Sequence, residues 1–430
     1  MVRAWSYAAL VALTANVAMG TDTVKCSSGS KCPKDLPCCS QYGECGVGAY
    51  CLGGCDPLSS NTLDSCVPAP VCKSDDYKLT SLDGITDKTK YLGDSSKTNW
   101  VVDGQPLAYQ NQVLLTMAPK TVGTVMASSH YVWYGKISAT MKTSRGAGVV
   151  SAFILLSDVK DEIDYEFVGV DLQTAQTNYY FQGITNYNNG GNISVSDTFN
   201  NYHTYTIDWT PDSITWSVDG KVGRVKKKAD TWNSTSNRYD YPQTPARIQL
   251  SIWPGGLASN NPGTIAWAGG PINWDGPDIK TNGYYYATVN EVTVQCYDPP
   301  SNGTKKGSTS YIYADPSGLE SAIQITDKNT TLRSLLGTGV NMTAELPTKG
   351  SSTSEVANVP GLNGGGPGLF GGYQPDGSAG NNPTKTANPT AFNQGGSGPN
   401  KSGAIKPEGE RILKGSLFAG LIAVVGTMIL

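Results

Sequence analysis

The run Asp161-Glu-Ile-Asp-Tyr-Glu-Phe167 alternates charge with bulk at a period of two. Successive side chains of an extended strand point to opposite faces, so Glu162, Asp164 and Glu166 share one face and Ile163, Tyr165 and Phe167 the other. Such a strand needs an apolar layer on one side and surroundings that tolerate three adjacent carboxylates on the other. Like charges that close raise one another's pKa, and some of the groups hold protons near neutral pH. The preceding run Val149-Val-Ser-Ala-Phe-Ile-Leu-Leu156 is apolar enough for a buried neighbouring strand.

The same reading extends along the chain. His203–Trp209 and Ile214–Val218 alternate polar with apolar or aromatic residues. Asp219-Gly220 supplies a tight hairpin signal before Lys221–Val225. Gly135–Met141 and Ala287–Val294 follow the same pattern. Many strands with turn signals, and few helical stretches, predict an all-β antiparallel sandwich over about residues 78–299. Lys226-Lys-Lys228 reads as the solvated end of a hairpin.

The net charge of -3 offers no basic field for nucleic acid. Two histidines far apart, His130 and His203, exclude a histidine-rich metal site, though not calcium held by carboxylates. We expect neither metal nor cofactor. Residues 26–66 carry Cys26, Cys32, Cys38, Cys39, Cys45, Cys51, Cys55 and Cys66. So dense a set in a secreted segment predicts a disulfide framework, because so short a stretch buries little apolar surface. Spacing does not choose among the pairings. Cys72 and Cys296 flank the strand-rich region and could bridge each other, or Cys72 could pair within the small module.

The two ends carry processing signals. Residues 1–20 have the charge, apolar run and small-residue cut of a secretory signal; the alternative is a buried helix. Residues 405–430 pair a polar spacer with an apolar run, the pattern of a glycosylphosphatidylinositol attachment signal. Ser402 is the expected attachment site with Asn400 second, and a retained membrane span is the alternative to an anchor. Residues 301–404, rich in Ser, Thr, Gly and Pro, read as a disordered stalk, with short local structure open between Tyr311 and Leu346. Sequons at Asn192, Asn233, Asn302, Asn329 and Asn341 mark expected exposed segments of a secreted glycoprotein.

A carboxylate strand of this kind suits glycosidic bond chemistry. A retaining glycosidase needs one carboxylate as nucleophile and one protonated carboxyl as general acid, roughly 5–5.5 Å apart. A carboxyl between them can share a proton and separate the two pKa values. Residues four apart on a strand lie about 13 Å apart at Cα, so Glu162 and Glu166 must lean together over a twisted sheet. A calcium site and a solvated acidic edge are the alternatives.

Glu162-Ile-Asp-Tyr-Glu166 resembles the E-x-D-x-E motif of glycoside hydrolase family 16. Gly148–Phe153, Asn178–Gly183 and His203–Asp212 match its surroundings. Trp253-Pro-Gly-Gly256 and Gly263-Thr-Ile-Ala-Trp-Ala-Gly-Gly270 resemble the fungal Crh cell-wall transglycosylases. The resemblance covers about residues 78–300 and implies a concanavalin-like jelly roll, with a catalytic domain drawn at 73–300. It implies Glu162 as nucleophile, Glu166 as general acid and base, and Asp164 as tuner of the pair. It points to Gln249, Trp253 and Thr264 as sugar contacts beside Glu166. The donor it implies is chitin and the acceptors β-glucan or chitin ends, with hydrolysis as a side reaction. The product is a cross-linked wall at the surface of a fungal cell, made by a monomer held to the membrane by a lipid anchor. An endo-β-glucanase or chitinase, and a non-catalytic wall-binding protein, are the alternatives.

Residues 21–72 resemble a hevein-like chitin-binding module through Cys38-Cys39, Ser40-Gln-Tyr-Gly-Glu-Cys45 and Tyr50-Cys51. The resemblance places Ser40, Tyr42 and Tyr50 at sugar-contacting positions and implies the pairs Cys26–Cys39, Cys32–Cys45 and Cys38–Cys51. Glu44 stands where a second stacking aromatic is usual, which removes one stacking face.

Overall fold

The computed structural model describes residues 23–300 and 304–345. Two eight-stranded sheets face each other. The sheet that carries the carboxylates comprises β1 (Ile85–Asp87), β2 (Trp100–Asp103), β3 (Thr124–Val132), β4 (Val149–Ser157), β5 (Glu162–Val168), β6 (Thr174–Tyr180), β7 (Gly191–Ser194) and β8 (Ala246–Pro254). Its order is β7-β6-β5-β4-β8-β3-β2-β1, antiparallel except between β1 and β2. The opposing sheet contains Gly135–Lys142 between His203–Trp209 and Tyr285–Cys296, with the hairpin Ser213–Val218 and Lys221–Lys227 at one side.

Alternation explains why the sheets meet. Ile163, Tyr165 and Phe167 of β5 pack with Phe153, Leu155, Ile248 and Leu250 of neighbouring strands, and with Tyr205, Trp209 and Trp216 of the opposing sheet. The Tyr165 ring stacks on Phe153 and Phe167, each at a centroid distance of 6.2 Å. Its hydroxyl donates to the Ser217 carbonyl at 2.9 Å, which satisfies the polar tip inside the core. Trp216 donates its indole N–H to the main-chain carbonyl of Asp164 at 3.0 Å, crossing the layers.

The small cysteine-rich segment is held by Cys26–Cys39, Cys32–Cys45, Cys38–Cys51 and Cys55–Cys66. Cys72 bridges Cys296, so the two ends of the sandwich are tied to each other. Of the two options open for Cys72, the partner lies 224 residues away.

Residues 304–345, expected to belong to the stalk, hold ordered strands. Ser310–Tyr313 and Ile323–Thr326 pair antiparallel, and Ser310 and Tyr311 also pair with Pro70 and Ala69. The scattered apolar residues of this stretch are the reason: Tyr311, Ile323 and Ile325 join the main core. Leu332 enters a second core with Tyr50, Leu52, Cys55, Val67, Tyr91 and Val101. That core draws on the cysteine-rich segment, the sandwich and the C-terminal stretch together. The signal segment, Asn302 and Ser402 lie outside the described residues. Among the described sequons, Asn192, Asn329 and Asn341 are exposed, while Asn233 is half-buried and donates to Asp240 at 2.8 Å.

A shared core couples the parts thermally. Leu332 is 1% exposed, and Leu332→Ala is expected to cost about 2–5 kcal/mol. Calorimetry should show one main transition, shifted down in the variant, rather than the loss of a separate small one.

Candidate active site

The register of β5 sets the face that the three carboxyls share. Glu162, Asp164 and Glu166 lie opposite Leu156, Ile154 and Ala152 of β4, which lie opposite Arg247, Gln249 and Ser251 of β8. On the other side they face Tyr180, Asn178 and Gln176 of β6. Residues directly opposite one another in a sheet share a face. One continuous row therefore crosses the sheet at each carboxylate.

All three carboxyl groups are buried, at 2%, 0% and 1% exposure for Glu162, Asp164 and Glu166. Neither Asp164 oxygen, nor Glu166 Oε2, has a hydrogen-bond partner among the described residues. Burial pushes the Glu162 and Glu166 carboxyls well above the ordinary carboxylate range. The Asp164 charge pushes both further, and Glu166 also feels Glu162. Burial raises Asp164 to about 7, against the opposing pull of the Arg224 guanidinium. Burial and the neighbouring charges therefore favour the protonated forms of Glu162 and Glu166, and the three carboxyls titrate as one coupled group.

Neighbouring groups fix the strand. Asp161, at its start, accepts from the backbone N–H groups of Gln182, Gln243 and Thr244, and from the Thr244 hydroxyl at 2.7 Å. Arg224 donates to the Thr177 carbonyl at 2.8 Å and lies over the Trp216 ring. Tyr180, opposite Glu162, accepts from the Asn178 amide at 2.7 Å.

Trp253 stands in the row beyond Glu166, opposite Val150, which faces Val168. Its ring stacks on Trp267 at 6.1 Å. Trp267 ends α1 (Pro262–Trp267), and its indole donates to the Gln176 side chain at 2.8 Å. Gln176 lies opposite Glu166, so the Trp253–Trp267 pair and Gln176 surround that carboxyl's end of the strand. Thr264 is buried on the same short helix. Trp267 and Gln176 were not singled out from the sequence. Trp267 sat inside a motif already read as informative, but only pairing across β6 shows what it reaches.

Gln249 shares the row of Asp164 and lies one strand beyond β4. Its amide donates to the side chain of Gln41, from the cysteine-rich segment, at 3.3 Å. The residues expected to contact sugar on that segment are not on a free face. Ser40 and Tyr50 are 2% and 3% exposed. Tyr50 lies in the shared core, and Tyr42 lines a cavity with Asp103, Arg247 and Gln249 of the sandwich.

The raised Asp164 carboxyl has a consequence for stability. A carboxyl whose pKa is higher in the folded than in the unfolded state favours folding at low pH, and that advantage is lost as pH rises through the folded pKa. Asp164→Asn removes the cost of ionising a buried group. Thermal unfolding should show the variant more stable than the parent at pH 8, with the difference shrinking toward zero near pH 4.

The model of glycosyl hydrolases family 16 matches residues 94–269, which include β5 and Trp253. Crh-like protein 3 of Botryotinia fuckeliana is 63% identical over 319 residues, 74% of this chain and 72% of that protein. Crh-like protein 2 of Aspergillus fumigatus is 54% identical over 444 residues, covering 100% of both chains. The solved structure of Crh5 transglycosylase in complex with NAG superposes with a TM-score of 0.51 at 31% identity, covering 63% of this chain and 99% of that one. A sandwich with this carboxylate strand, and relatives of such identity along most of the sequence, place the chain among the Crh-like proteins of glycosyl hydrolase family 16.

Proposed function

We propose that the chain is a cell-wall transglycosylase that cleaves β-1,4 linkages in chitin and passes the glycosyl chain to a β-glucan or chitin acceptor. The observation that carries this reading is the buried row Glu162, Asp164 and Glu166 on one face of one strand. The naming of related proteins as Crh-like, and of a structural neighbour as a transglycosylase bound to NAG, supports the sugar class.

Glu162, ionised while Asp164 holds the shared proton, attacks the anomeric carbon. Glu166 gives its proton to the departing glycosidic oxygen, and a covalent glycosyl-enzyme forms. The leaving chain departs, and an acceptor hydroxyl takes its place. Glu166, now a carboxylate, removes the hydroxyl proton as that oxygen attacks the anomeric carbon and displaces Glu162. Configuration is retained because two inversions occur. An acceptor sugar brings binding energy that water lacks, which favours transfer over hydrolysis.

Trp253 is 3% exposed and stacks under the half-buried Trp267 beside Glu166, so a sugar ring would meet the Trp267 face with Trp253 supporting it. Gln249 and Thr264 complete the proposed sugar contacts. In the proposed setting the enzyme works outside the cell, with the lipid anchor at Ser402 holding it near the wall.

Chitin incubated with fluorescent β-glucan oligosaccharides should give labelled hybrid chains. Glu162→Gln should reduce their formation by about 10³-fold or more; retention of full activity would sink the assignment. Reducing ends without hybrids would instead identify a hydrolase. Trp253→Ala should raise KM for chitin oligosaccharides by about 3- to 10-fold, measured by initial rates.

A further inference from the structure

We propose that the cysteine-rich segment forms one end of the catalytic cleft, with Gln41 and Gln249 making a terminal saccharide subsite. This rests on the reading of the carboxylate face as the cleft. It gives the segment a role different from that of a tethered chitin anchor.

The first ground is position. Asp164, Ile154 and Gln249 are directly opposite one another on β5, β4 and β8. Two strand spacings amount to about 10 Å, roughly the length of two pyranose rings laid across the strands. At that distance Gln41 meets Gln249 across the segment boundary. The next strands along the same row bring Ala127 and Val101, and these line the cavity under the segment. In the other direction the row at Glu166 runs out through Gln176 to Asn192 on β7, which is exposed. The cleft is therefore walled at one end by the segment, while at the other end no described part of the cysteine-rich segment lies over the row.

The second ground is chemistry. The cavity between segment and sheet is lined by Gln41, Tyr42, Asp103, Arg247 and Gln249. Each carboxamide both donates and accepts, which matches sugar hydroxyls and an acetamido group. A tyrosine ring supplies apolar surface for a ring face. Gln41 is not loose. A Cβ on Gly54 would fall 2.6 Å from its Oε1, so the side chain lies flat against that glycine.

The third ground is rigidity. The Gly54 N–H donates to Asp158 at 3.1 Å and to the Tyr131 hydroxyl at 3.0 Å, and that hydroxyl donates to Asp158 at 2.8 Å. Lys160 pairs with Asp56 at 3.2 Å. A Cβ on Gly53 would fall 2.5 Å from the Arg247 guanidinium, so the segment's backbone lies directly against that side chain and a larger residue would require the guanidinium to shift. With the second core beneath it, the segment is fixed over β8, β3 and β2.

The test uses the secreted chain, chitin oligosaccharides of four to eight units as donors, and a fluorescent β-glucan oligosaccharide as acceptor. Mass spectrometry reads the lengths of transferred and released fragments. One of the two fragments should stay short and constant as the donor lengthens. Gln41→Ala should raise KM for donors long enough to reach the wall by about 3- to 10-fold, with a smaller effect on kcat. Gln41→Trp should shorten the constant fragment. Fragments of free length on both sides, or both variants matching the parent in KM and fragment length, overturn the proposal.

Binding without turnover separates this from the transglycosylase reading. Calorimetry compares Glu162→Gln with Glu162→Gln/Gln41→Ala for chitotetraose. A 3- to 10-fold weakening, by about one hydrogen bond's worth, supports the subsite even if the parent makes no hybrids. Equal affinity overturns it even if the parent makes them.

Discussion

Burying three carboxyl groups side by side is costly, and the sandwich is arranged so that this cost is met by one strand packed on its other face. Unpaired buried charge is expensive, so such groups keep protons rather than remain ionised. Ile163, Tyr165 and Phe167 bind β5 to the aromatic layer of the opposing sheet. Trp216 ties the Asp164 carbonyl across the layers, and Asp161 pins the strand at its start with four accepted hydrogen bonds. The strand can then present groups that repel one another without twisting them apart. The same crowding that costs stability pushes all three carboxyls above the ordinary carboxylate range.

The parts around the sandwich depend on that face as well. The cysteine-rich segment covers one end of it, and residues 304–345 lace the segment to the sandwich. Pairing of Tyr311 with Ala69, the Thr330 hydroxyl bonded to the Gly93 carbonyl, and the Gly48 N–H bonded to the Gly337 carbonyl all join distant stretches. Four disulfides keep the segment's shape, and the second core gives it a fixed seat.

Much of this was legible in the residues. The period-two run at 161–167 identified the strand and its two faces, because a side-chain period of two leaves no other face assignment for an extended chain. The resemblance carried the three interlocked disulfide pairs. The docking of the small segment was not legible. Nothing local in Gln41 or Gly53 signals a partner more than 190 residues away, and Ser40, Tyr42 and Tyr50 read alike whether exposed or covered. The ordered stretch after residue 304 was left open rather than located, since strands of two to four residues amid Ser, Thr and Asn give weak periodicity. Trp267 became meaningful only once β6 placed Gln176 beside Glu166.

The glycine at position 53 turns a composite chain into one whose parts are matched. A sugar-binding module joined by a flexible tether can be exchanged for another, and the enzyme behind it keeps its own preferences. Here the Gly53 backbone lies directly against Arg247, and any side chain at that position would have to displace the guanidinium. A related module grafted onto this sandwich would have to reproduce that bare contact or sit askew. Sequence drift in the cysteine-rich segment is thereby coupled to drift in the sandwich, and the two would be inherited as a single unit.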